Sequence, residues 1–178
     1  FSVAIVSIGV LLLLTSMSLF TVDQRQKAMI FRLGEITSIK TEPGLFWKLP
    51  LVENVRLFDA RTHTVDTDEP ERFLTSEKKN VLVDSFIKWR ISDVKQYYIS
   101  VGGDERRARD RLNKTVNDSL RAEFGKRTVY QVISGERDEI MELMREKVDV
   151  DARKIGVEVL DVRLKRVDLT TEISDAVY

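Results

Sequence analysis

The sequence holds one histidine, His63, in the run Arg61-Thr62-His63-Thr64, and no cysteine. Disulfides, thiolate nucleophiles and cysteine-held zinc are therefore excluded. A multi-histidine metal site cannot be assembled, and any His-centred triad would have to use His63. General base catalysis requires a nucleophile or acid within hydrogen-bond reach, and no GxSxG, Walker-type or HExxH pattern supplies one. His63 reads as a surface or partly buried residue on a strand or at its end.

Three polar clusters come next. Gly102-Gly103-Asp104 precedes a helical pattern and would offer free N–H groups to an anion; the simpler reading is a loop and an N-cap. Asp149-Val150-Asp151 suggests a cation site only until it is placed on a helix, where the two carboxylates diverge. Glu105-Arg106-Arg107-Ala108-Arg109-Asp110-Arg111 is locally basic. It reads as a solvated helix face, or one that pairs with a neighbouring subunit. The chain as a whole carries 29 basic and 29 acidic residues, which argues against a dedicated nucleic-acid binder. Nothing in these residues asks for a cofactor.

The elements that would carry these groups follow from periodicity. Gln26–Arg32 and Val55–Arg61 are strand candidates. Val81–Ile91 is the clearest strand, with Val81, Val83, Ser85, Ile87, Trp89 and Ile91 on one face. Asp66–Pro70 reads as an acidic loop and Lys78-Lys79-Asn80 as a turn. From Asp104 to Phe124 the residues Ala108, Leu112, Val116, Leu120 and Phe124 recur four apart, which predicts a helix ending at Gly125. Thr128 and Gln131 have capping-box spacing. A second helix is predicted over 136–155, with Ile140, Leu143, Met144, Lys147, Val148, Asp151 and Ile155 on one face. Val157–Val167 alternates again, with Leu160, Val162 and Leu164 against Asp161, Arg163 and Lys165. Thr170 or Thr171 would cap a further helix. Strands first and helices later indicate an α+β fold, divided into two small modules with a join near Asp66–Asn80.

Two apolar stretches stand apart. Phe1–Val22 (FSVAIVSIGVLLLLTSMSLFTV) contains no charge; every charged residue lies after it. Twenty-two helical residues span roughly 33 Å, about a bilayer's hydrocarbon thickness. A cleaved signal peptide is the competing reading, with Ser16-Met17-Ser18 as its cleavage site; the run through Leu19, Phe20 and Val22 favours an anchor. The mixed charges of Asp23–Lys27 leave orientation open. Starting without Met and stopping at Tyr178 inside a helical pattern, the chain reads as a stretch trimmed at both ends. The second stretch, Pro43–Val55 (PGLFWKLPLVENV), places Leu45, Phe46, Trp47, Leu49 and Leu51 in a short β-turn-β piece. Core packing is the simplest reading; contact with an apolar partner is the other.

Several segments in order carry a resemblance. Pro43–Pro50 (PGLFWKLP) resembles the PGLH/F-x-K-x-P element of the stomatin, prohibitin, flotillin and HflK/C superfamily, the SPFH or band 7 domain. Asp59-Ala60-Arg61 follows at the matching spacing. Val83–Ile91 (VDSFIKWRI) is similar to that family's V-D-x-x-I-x-W-R-I strand, and Gly156–Lys165 to its last strand. Phe73–Asn80 and Asp168–Tyr178 resemble the corresponding stretches of HflC-type members.

The resemblance implies a transmembrane helix over 1–22, a β-rich membrane-proximal module over 23–78, an α/β module over 79–169, and the start of a long C-terminal helix over 170–178. It implies a non-enzymatic scaffold without cofactor, anchored in the bacterial inner membrane with its body on the periplasmic side. Such subunits pair with an HflK-like paralogue in a hetero-oligomeric ring or cage around the membrane protease FtsH and regulate its access to membrane substrates. Leu45, Phe46, Trp47, Leu49 and Leu51 would then touch the lipid bilayer, with Trp47 suited to its interface. A stomatin- or prohibitin-like scaffold independent of FtsH is the alternative. A hydrolase built on His63 and a periplasmic small-ligand module are weaker ones.

Overall fold

The computed structural model describes residues 7, 9, 15–66, 70–135 and 137–169. They form two compact units. The first comprises the described residues through Arg61 with Asp93–Lys95; the second comprises Thr62–Ser92 and the described residues from Gln96 onward.

Five strands build the first unit. β1 (Leu19–Val22) pairs antiparallel with β4 (Gly44–Trp47), and β2 (Gln26–Arg32) lies between β3 (Glu35–Lys40) and β5 (Glu53–Asp59). Ala28, Met29, Ile30 and Phe31 of β2 are all buried. That continuous run is why β2 alternates only weakly in sequence: a central strand covered on both faces has no solvent side. β1 corrects one expectation. The last four residues of the uncharged run are strand, not helix, because their backbone groups pair with β4 from Leu19↔Trp47 to Val22↔Gly44. Residues 15–18 before them are helical. Among the described residues no helix is long and apolar enough to cross a membrane; most of the expected span lies outside them.

The second unit is built on β8 (Asn80–Ile91). β6 (His63–Asp66) and β7 (Glu71–Leu74) follow one another along one edge of β8, and β9 (Val157–Leu169) runs along the other. The join expected at Asp66–Asn80 thus falls inside one sheet. β6 and β7 belong with β8 because they share its hydrogen bonds, and the division falls after Arg61. β8 alternates as its sequence requires, with Val81, Val83, Ser85, Ile87, Trp89 and Ile91 buried.

Helix α1 (Val94–Val101) precedes α2 (Glu105–Phe124) and α3 (Arg137–Arg153). The predicted α2 stripe is buried from Ala108 to Phe124, and Phe124 meets Phe73 of β7 edge-on at 5.6 Å. The capping box forms in both directions: the Thr128 amide donates to Gln131 Oε1 at 3.0 Å, and the Gln131 amide donates to Thr128 Oγ1 at 3.4 Å. A π-helical turn, Gln131–Gly135, follows.

α3 is rotated from the expected face. Ile140, Met141, Met144, Val148, Asp149 and Ala152 are buried, while Leu143, Lys147 and Asp151 point outward. Asp149 turns inward because its carboxylate accepts the Val159 amide at 2.9 Å and Arg153 Nε at 2.7 Å. β9 also departs from simple alternation. Its inward residues are Val157 and Val159, then Val162 and Leu164. Trp89 pairs with Val159 and Lys88 with Asp161, so Leu160 is an extra residue; this bulge shifts the inward set by one position. The acidic loop at 67–69 and the helix expected after Thr170 lie outside the described residues.

Candidate membrane-contact surface

The polar clusters resolve into structure. Asp104 is the N-cap of α2, accepting the Arg106 amide at 2.9 Å. Gly102 and Gly103 have φ of 71° and 73°, so they make the turn that only glycine enters without strain. Asp149 faces β9, whereas Asp151 sits outside beside Lys154 at 2.6 Å. The two carboxylates diverge. His63 stacks on Trp89 with ring centroids 4.8 Å apart, and its Nδ1 is 3.6 Å from Glu105. Its ring is a packing element over a buried tryptophan.

The apolar residues of 43–52 arrange themselves differently. Side chains alternate across a strand, so the register of β1 with β4 sorts them. Leu19 lies opposite Trp47 and Thr21 opposite Leu45 on one face; Phe20 lies opposite Phe46 on the other. The first face is open to solvent: Leu45 is 65% and Trp47 62% exposed, and Leu19 is about equally so. On the second face Phe46 is half-buried against Phe20, with centroids 5.9 Å apart and Lys40 Nζ over the ring at 5.3 Å.

The loop after β4 and the β2–β3 turn carry two more exposed leucines. Leu51 is 90% exposed with φ of 69°, and Leu33 in the β2–β3 turn is 88% exposed with φ of 51°. A bulky residue in the left-handed region is an outlier that its surroundings must enforce. The two turns are tied together, since the Leu33 amide donates to the Val52 carbonyl at 3.4 Å. Glu53 is the clamp. It is buried at the start of β5 and accepts from Arg32 Nη2 at 2.6 Å and from the Leu49 amide at 2.8 Å. The Leu49 amide first, and then the Arg32 guanidinium, hold the Glu53 carboxyl below its ordinary value.

Of the five residues expected to form a contact, Leu45, Trp47 and Leu51 lie on the open surface. Phe46 faces inward and Leu49 is half-buried at the clamp. Sequence reading missed Leu19 and Leu33. Leu19 was absorbed in the uncharged run, and Leu33 is one apolar residue in a Leu-Gly turn. This surface offers no acid-base pair. It offers an exposed apolar face of Leu19, Leu45 and Trp47.

Comparison with known proteins gives a consistent result. The SPFH domain / Band 7 family matches residues 20–177. The protein named Protein HflC of Haemophilus influenzae is 43% identical over 141 residues, covering 77% of this chain and 48% of the relative. Protein HflC of Buchnera aphidicola is 36% identical, covering 94% of this chain and 61% of the relative. Modulator of FtsH protease HflC of Escherichia coli is 31% identical, covering 95% of this chain and 64% of the relative. The chain therefore spans from 48% to 64% of the length of these curated relatives. With the family matched over nearly its whole length, and with HflC proteins as its relatives, the chain belongs to the SPFH domain / Band 7 family, in its HflC group.

Proposed function

We propose that this chain is a non-enzymatic scaffold subunit at the bacterial inner membrane that modulates the FtsH protease. It assembles with an HflK-like paralogue into a ring or cage around FtsH and regulates access of membrane-protein substrates. The uncharged sequence ahead of β1 anchors it, and the body lies on the periplasmic side. The β-rich first module, with its boundary after Arg61 rather than at residue 78, is the membrane-proximal one, the α/β module follows in the chain, and residues 170–178 begin the long C-terminal helix.

One observation carries the membrane part of this reading. Leu19, Leu45 and Trp47 make an exposed apolar face on the strand pair that directly follows an uncharged run. Exposed apolar surface costs free energy in water, at roughly 25 cal/mol per Å², and a contiguous patch marks an interaction site. A bilayer interface accepts leucine and favours tryptophan. The FtsH part is supported by the name of the Escherichia coli relative.

The test is a mild-detergent purification of the tagged full-length protein from native membranes, read by mass spectrometry. Stoichiometric recovery of an HflK-like protein together with FtsH is the expected result. A homo-oligomer without protease would replace this reading with the FtsH-independent scaffold.

A further inference from the structure

The acidic residues of α3 divide into two sets. Asp138, Glu142, Asp149 and Asp151 each have a cation of this chain beside them: Arg163 at 3.6 Å, Arg145 at 2.5 Å, Arg153 at 2.7 Å and Lys154 at 2.6 Å. Glu139 and Glu146 are exposed and make no ion pair among the described residues. The other basic residues of the helix are turned elsewhere, Arg137 to the Leu164 carbonyl and Lys147 to Glu123. The two uncompensated carboxylates lie where the helix also exposes apolar side chains: Leu143 is 37% and Val150 62% exposed. In chain order Glu139, Leu143, Glu146 and Val150 alternate acid and aliphatic, at steps of four, three and four residues. At 3.6 residues per turn they keep to an arc of about 60° along roughly 16.5 Å of helix. That is the spacing of a seam between two helices.

We infer that this seam docks a basic amphipathic helix of a different subunit, with lysine or arginine heads on Glu139 and Glu146 and aliphatic surface on Leu143 and Val150. The inference rests on the reading of the chain as a subunit of a hetero-oligomer, and adds the face and the chemistry of what it meets. Charge selects the class of partner. Two uncompensated carboxylates among apolar side chains repel phosphates, so neither an anionic lipid surface nor a nucleic acid fits. A cationic helix answers both parts of the seam, since the stems of arginine and lysine cover aliphatic residues while their heads reach carboxylates. A second copy of this chain does not match. The exposed side of α2 mixes Arg107, Arg111 and Lys114 with Asp110 and Asp118, and α1 is only eight residues long. The exposed ion pairs are weak one by one. They set register and reject wrong partners, while anchoring of both subunits in one membrane raises their effective concentration.

The experiment uses the tagged full-length protein in native membranes, with a photo-reactive benzophenone residue in place of Val150 or, as a control, of Ile99 on α1, which is equally exposed at 62%. Adducts are mapped by mass spectrometry. The probe at 150 should attach to a helical segment of a different chain that carries Lys or Arg three, four or seven residues apart. Glu139→Lys with Glu146→Lys should lower that yield roughly fivefold or more, with the adducts at 99 and the thermal midpoint unchanged. Glu139→Gln with Glu146→Gln should lower it less. Changing the mapped cations of the partner to glutamate should restore the yield with the lysine variant, a swap that rules out misfolding as the cause of the loss. Adducts at 150 to a second copy of this chain or to lipid overturn the inference, as do no adduct and a yield indifferent to charge reversal. Where FtsH and a different subunit still co-purify with the chain, such a result removes the face and leaves the scaffold reading standing. A parent chain that co-purifies with neither overturns the scaffold reading itself.

Discussion

The carboxylate of Glu53 accepts the backbone N–H of Leu49 at 2.8 Å, four residues back along the chain. With the reciprocal Glu53 amide donating to the Leu49 carbonyl at 3.0 Å, this bond closes the loop 49–53 that carries the exposed Leu51. Arg32 Nε and Nη2 close the same carboxylate from β2 at 3.0 and 2.6 Å. Replacing Glu53 with Ala strands the Leu49 amide and the guanidinium together. The thermal midpoint should fall by a few degrees, and proteolysis at Leu51 should accelerate. A variant protected as well as the parent would show that the clamp does not hold the loop.

The same carboxyl makes the loop sensitive to acid. Its pKa is lower folded than unfolded, so its contribution is fully present above the ordinary value of 4.5 and is lost as pH falls through the lower folded value. Thermal melts between pH 6 and pH 3 should show the parent losing more stability than Glu53→Gln over that window. Parallel pH curves would remove Glu53 as the cause.

Two tryptophans report opposite environments. Trp47 stands on the open face, while Trp89 is fully buried in the second unit. In vesicles containing brominated lipid, fluorescence of the full chain should be quenched through Trp47. Trp47→Leu should abolish most of the quenching and Trp89→Phe should leave it. Quenching that survives Trp47→Leu would place the bilayer elsewhere.

Leu45→Ser and Trp47→Ser should weaken membrane association with little change in stability, whereas Phe46→Ser should destabilise the fold through its lost packing on Phe20. A truncation of the uncharged residues ahead of Leu19 should keep β1, since Leu19–Val22 are the partners of β4. Removing them exposes Phe46 and confounds the comparison. Equal losses of stability in all three variants would contradict the assignment of faces.

Asp149 caps a buried backbone donor, the Val159 amide. Asp149→Ala leaves that N–H without an acceptor, at a cost of about 1–3 kcal/mol. Urea denaturation should show a lower midpoint with an unchanged slope. A variant within error of the parent would mean that β9 does not depend on α3 at this point.

Much of the fold was written in local pattern. β8 and α2 follow directly from periods of two and near four, because burial of one face per element decides them. The Thr128–Gln131 capping box is equally local: two side chains three residues apart satisfy each other's amides. The family resemblance was legible too, since its motifs are contiguous segments.

What the sequence could not show were relations between distant segments. The end of the uncharged run became β1 because Gly44–Trp47 offered it a hydrogen-bonding edge 22 to 28 residues away. Asp149 went inward because a β9 amide needed an acceptor, and a bulge at Leu160 then shifted which residues of β9 face the core. Most of all, composition alone made Leu45, Phe46 and Trp47 equivalent. The β1–β4 register separated them, sending Phe46 onto Phe20 and leaving Leu45 and Trp47 in the open, because neighbours in a strand face opposite ways.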